Sequence, residues 1–134
     1  MDNMWSQFGI AIVTIIAMDA LWLGWLMKDF YRRHLGHLAR MADGGLDPVW
    51  PVAALVYPVL AGGITVLVLG RAKSPIEALT LGAFFGFVTY GVYDLTNHST
   101  LRGWPAVLTV TDMAWGTLLC GTAAWLAYTL TRPA

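Results

Sequence analysis

Asp19, Asp94 and Asp112 each stand inside a run of otherwise apolar residues: IAMDALWLG, TYGVYDLTNH and VTDMAWGTL. A carboxylate at bilayer depth costs roughly 2.5–3.5 kcal/mol even on the most lenient insertion scale, so such groups usually face a bundle interior and mark a working site. Asp19 and Asp112 read as a carboxylate pair in a low-dielectric interior, the chemistry of a proton relay or a cation-binding pocket. The plainer alternative is that these acids tie helices together, through hydrogen bonds that average about 0.6 kcal/mol in membranes. Asp94 and His98 stand at i and i+4. With Asp112 opposite, they form a candidate ligand set for a divalent metal cofactor. Against that set, D-x-x-x-H is a common pattern and no second histidine lies at that depth.

The neighbours of the acids fall on defined helix faces. Tyr90, Asp94, Asn97 and His98 follow at i, i+4, i+7 and i+8, a single stripe. Thr109, Asp112, Trp115 and Gly116 share a face, and Asp19 and Trp22 are i, i+3 neighbours. The pattern D-x-x-W therefore occurs twice, as DALW and DMAW. It fits an inverted repeat, although parallel use of an indole donor beside a carboxylate is the simpler reading. Trp22 and Trp115 flank the acids and are expected to wall a ligand pocket. Trp5, Trp50 and Trp104 stand at segment ends, as an interfacial belt does.

The elements that must position these residues are transmembrane helices. The chain is 57% hydrophobic and 12% charged, about half the charged share of a soluble domain. Four apolar segments cover about 6–27, 50–70, 75–96 and 105–130, each near the 20 or so residues that cross a hydrocarbon core. The expected fold is an all-α integral membrane protein, a four-helix transmembrane bundle in up-down-up-down order, with residues 1–134 forming one transmembrane domain. The start MDNMWSQFG lacks the positive stretch of a signal peptide, so the first segment is expected to remain.

Depth ties the acids to one layer. Counted from the face that carries the first and third connections, Asp19 lies eight residues before Met27, about 12 Å in. Asp112 and Tyr57 each lie seven residues inside their segments, about 10 Å in. Tyr90 comes at about 9 Å and Asp94 at about 3 Å. All four helices thus offer a polar side chain to one leaflet, with Asp94 and His98 at its entrance and Tyr57 and Tyr90 as hydrogen-bonding walls.

Between the first two segments, KDFYRRHLGHLARMADGGLDP has Phe30, His34, His37 or Leu38, and Met41 at helical spacing among arginines. It reads as a short interfacial helix, or as a solvated basic loop. Tyr57-Pro58 predicts a kink in the second span. Gly82 and Gly86 permit close helix approach and offer a contact for a homo-oligomer. Positive residues favour the first and third connections by five to three, which sets those connections in the cytoplasm. Zero net charge supplies no nucleic-acid surface, and membrane lipids are the expected surroundings.

The run YDLTNHSTLRGWP followed by TDMAWGTLL, with MDALWLG near the start, resembles the bacterial membrane-protein family known as domain of unknown function 2177. The resemblance covers essentially the whole chain. It implies a small multi-pass protein of the bacterial inner (cytoplasmic) membrane with about four helices, and it carries over no catalytic residue.

Function must therefore come from the residues. The leading reading is binding, and proton-coupled movement, of a small or amphipathic ligand at an intramembrane carboxylate pocket open toward the first and third connections. One alternative is a membrane-embedded, metal-dependent enzyme acting on a lipid or isoprenoid through Asp94, His98 and Asp112. Another is a non-catalytic accessory membrane subunit whose acids only fix helix packing.

Overall fold

Four stretches are long and apolar enough to cross a membrane: Asn3–Leu26, Trp50–Leu69, Pro75–Thr100 and Ala106–Thr131. They come from a computed structural model that describes residues 2–132. Helix α1 (Asp2–Leu21) runs on through a π-helical turn at Trp22–Leu26, closed by the Met27 N–H on the Trp22 carbonyl at 2.8 Å. Helix α2 (Lys28–Leu35) follows at once. A two-stranded hairpin, β1 (Met41–Ala42) with β2 (Gly45–Leu46), turns on Asp43 and Gly44, whose φ values of 49° and 77° suit a tight antiparallel turn. Helix α3 (Trp50–Gly63) contains Pro58 and continues as π-helix over Ile64–Leu69. Helix α4 (Pro75–Thr100) opens on Pro75, with Ser74 Oγ accepting from the Glu77 N–H at 3.2 Å. Helix α5 (Ala106–Thr131) completes the set.

Two boundaries differ from the sequence expectation, and both move the site. Helix α4 runs to Thr100, beyond the expected end near 96. The Ser99 and Thr100 hydroxyls both bond the Thr96 carbonyl at 2.8 Å, and the Leu101 N–H reaches the Asn97 carbonyl. The polar NHST run therefore prolongs the helix. The interfacial helix forms but stops at Leu35, because the Leu38 and Ala39 N–H groups both turn back on the Leu35 carbonyl. Met41 accordingly belongs to the hairpin and not to a helical stripe.

Helix α1 packs between α3 and α5, α5 packs against α4, and the π-helical end of α3 touches α4, which closes a ring of four. The approach of α4 to α5 depends on small residues. A Cβ on Gly82 would meet Ala124 Cβ at 2.6 Å and the Cys120 carbonyl at 2.7 Å, and one on Gly86 would run into the Gly116 carbonyl. These glycines are thus used inside the chain, whereas the sequence reading offered them to an oligomer contact. A second buried cluster joins Tyr31, Trp104 and Leu108, with Trp22, Leu23 and Phe30 against it. It fastens α2 onto the ends of α1 and α5. Trp104 is therefore buried and donates to Thr109 Oγ1 at 3.0 Å, while Trp5 and Trp50 remain exposed as a belt requires.

Candidate functional site

The late turns of α1 and α4 meet the early turns of α3 and α5 at one end of the bundle, and the three acids meet there. Asp19 accepts from Trp115 Nε1 at 3.0 Å and from the Tyr57 hydroxyl at 3.2 Å. Asp112 accepts from the Tyr31 hydroxyl, which itself accepts from Trp22 Nε1 at 3.0 Å. The two D-x-x-W segments thus exchange partners. The tryptophan beside Asp112 serves Asp19, and the tryptophan beside Asp19 reaches Asp112 through Tyr31. Between them Trp22 and Trp115 stack with centroids 4.1 Å apart and planes at 4°.

Tyr31 is the site residue that the sequence reading missed. It lies on α2, in the connection read as interfacial helix or loop, and it is buried. The available signal was that it is the one tyrosine in that segment. Burial, and next the charge of Asp112 beside it, pushes its hydroxyl above the usual tyrosine range, so the group stays a donor.

Asp94 is fully buried, and both its oxygens lack a donor among the described residues. The Asp112 carboxyl is the neighbouring acid. The expectation that Asp94 stands at the entrance is thereby corrected. Because α4 runs to Thr100, Asp94 lies six residues from the helix end, about 9 Å in.

His98 is exposed, and its Nδ1 is 3.3 Å from Thr109 Oγ1, in the group that also takes the Trp104 indole. Asn97 sits beside Tyr93. Tyr90 lays its ring over Gly116. Asp94, His98 and Asp112 do not come together as a metal-holding set, and among the described residues no group of three His, Cys, Asp or Glu side chains does.

A cavity of about 850 Å³ opens beneath α2 and the hairpin, between the end of α1 and the start of α3. Asp19 and Tyr57 line it. Leu23, Val52 and Ala53 supply apolar wall, and Lys28, Arg32 and Arg40 stand at its α2 and hairpin side. Trp22 and Trp115 do not line it, contrary to expectation, because each spends a face on the other. The cavity opens at the first connection; no residue of the third belongs to its lining.

With this geometry in view, the comparison with known families is decisive on one point. A family model described as predicted membrane protein (DUF2177) matches residues 4–129. The chain belongs to this family. Every site residue named above falls within the match. As a member with four spanning helices, the chain is a multi-pass membrane protein. Neither a curated protein nor a solved structure matches it.

Proposed function

We propose that this membrane protein binds a small or amphipathic ligand in the cavity against Asp19 and couples that binding, or the ligand's movement, to a proton at the Asp94–Asp112 pair. One observation carries the reading: Asp19 belongs to both parts. It lines the cavity, and it accepts from Trp115, whose ring stacks on Trp22 and so adjoins the Tyr31–Asp112 bond. A ligand that pulls on Asp19 would strain this rigid aromatic pair and be felt at Asp112.

The acid pair supplies the proton side. Two neighbouring carboxyls inside the spans, Asp94 fully buried and Asp112 half-buried, need a counter-charge between them. Neither makes an ion pair with a lysine or arginine among the described residues. A shared proton is the smallest counter-charge that fits and the one a relay uses. The surroundings are membrane lipids, and the family resemblance supports the cytoplasmic membrane of a bacterium. A homo-oligomer would use faces other than the Gly82–Gly86 stripe, which packs against α5.

Infrared spectroscopy tests the proton directly. At neutral pH a protonated carboxyl band is expected in the parent and is expected to vanish in Asp94→Asn and in Asp112→Asn. A spectrum with every aspartate ionised contradicts the reading.

A further inference from the structure

The cavity that contains Asp19 has a charge asymmetry that the buried acids do not explain. At its deep end the two Asp19 oxygens already accept from Trp115 and Tyr57. At the level of α2 and the hairpin, three cations, Lys28, Arg32 and Arg40, belong to its lining. Arg32 pairs with Asp29 at 3.1 Å, a bond between two exposed side chains, worth little in water. Lys28 and Arg40 have no acidic partner among the described residues. Asp43 of the hairpin and Asp47, which follows it, lie outside the lining. Between the cations and Asp19 the walls are apolar, and on the α3 side they run into Trp50 and Val52, which are 67% and 63% exposed and continue the surface that meets lipid.

A chamber with cations at headgroup level, an apolar slot below and a lateral edge toward the bilayer matches an amphiphile with an anionic head. Guanidinium groups bind phosphate oxygens with paired, charge-assisted hydrogen bonds, and lysine adds a point charge. Its volume lies within the usual range for sites that enclose most of a small ligand. We infer that the ligand of this site is a phosphate-headed amphiphile of net negative charge drawn from the bilayer, its head held by Lys28, Arg32 and Arg40 and its chain lying in the slot above Asp19. This inference rests on the reading of the cavity as a ligand site and names the ligand's class.

Binding can be read as thermal stabilisation of the full chain in maltoside micelles. The probes are short-chain phosphatidylglycerol, short-chain phosphatidylcholine and inorganic phosphate. Phosphatidylglycerol is expected to stabilise saturably, phosphatidylcholine at least tenfold more weakly, and phosphate not at all at equal concentration. In the triple variant Lys28→Gln, Arg32→Gln, Arg40→Gln, whose altered side chains are exposed, the apparent Kd for phosphatidylglycerol should rise by roughly tenfold or more, the loss of at least one charge-assisted contact.

Two variants plug the slot. Gly24 lines the cavity, and a Cβ there meets nothing within 4 Å, so Gly24→Phe adds a ring at the cavity wall with no clash at its Cβ. Ala53→Phe does the same from α3 and serves if the first fails to fold. Either plug should abolish stabilisation by phosphatidylglycerol. If the two lipids bind equally, or the triple variant binds like the parent, the head assignment is overturned while the ligand site stands, provided the plugs still abolish binding. If phosphate alone binds with the same dependence on the three cations, the ligand is a soluble anion and the amphiphile is overturned. If the folded plugs leave binding intact, or no probe binds, the cavity reading itself is overturned.

Discussion

Trp115 donates its indole N–H to Asp19 at 3.0 Å, joining residues 96 positions apart in sequence across the α1–α5 contact. The bond is half of a crossed arrangement, since Trp22 reaches Asp112 through Tyr31. Interhelical hydrogen bonds in membranes average about 0.6 kcal/mol and reach about 1.7. Trp115→Phe removes the donor and keeps a smaller aromatic face for the stack on Trp22, a loss that the cycle subtracts. A double-mutant cycle of Trp115→Phe with Asp19→Leu, which removes the acceptor, followed by reversible denaturation, should give a coupling of about 0.5–2 kcal/mol. A coupling of zero would show that the bond contributes nothing.

Tyr31 ties α2 to the acids as donor to Asp112 and acceptor from Trp22. Tyr31→Phe should cost about 1–3 kcal/mol at neutral pH, because it leaves a half-buried indole and a half-buried carboxyl each short of a partner. The pH dependence has a definite sign. The folded hydroxyl titrates above the ordinary tyrosine value, so its contribution is whole below about pH 10 and is lost as pH rises beyond that toward the folded value. The stability difference between parent and Tyr31→Phe should therefore shrink above about pH 10, at up to about 1.4 kcal/mol per pH unit. A difference that holds constant to higher pH argues that the hydroxyl is not held in this bond.

Packing of α4 on α5 makes a sharper contrast. Gly86→Ala drives a methyl group into the Gly116 carbonyl and should destabilise by about 1–3 kcal/mol, the usual cost of overpacking. At Gly9 a Cβ meets nothing within 4 Å, so Gly9→Ala should stay within about 0.5 kcal/mol or stabilise slightly. Thermal shifts of the two variants side by side measure this. Equal effects would mean that the glycine stripe does not hold the two helices at this distance.

Much of this architecture is written in periodicity. Runs of about 20 apolar residues mark the four spans, and the acids within them mark the interior. The depth count brings Asp19, Tyr57 and Asp112 to one layer, since each lies well inside its span. The same count fails for Asp94, because it assumes that a helix ends where hydropathy falls, whereas Ser99 and Thr100 prolong α4 by bonding Thr96. The doubled D-x-x-W is visible in sequence, but its crossed pairing is not, because that depends on which faces α1 and α5 turn to each other. Tyr31 escapes for a related reason: an interfacial helix shows its amphipathic stripe, and whether it lies on the membrane or docks on the bundle is decided by partners such as Leu108 and Trp104. The large cavity is framed by a hairpin that follows from Asp43-Gly44, a pair whose meaning depends on the strands at either side.

The central claim is that the cavity and the buried acid pair communicate through Asp19. Its most direct test is an infrared difference spectrum recorded as short-chain phosphatidylglycerol is added to the solubilised protein at neutral pH. The protonated carboxyl band of the Asp94–Asp112 pair should shift or lose intensity as the cavity fills, and the change should be absent in Asp19→Asn and in Gly24→Phe. Saturable thermal stabilisation by the lipid with a carboxyl band that does not move would contradict it.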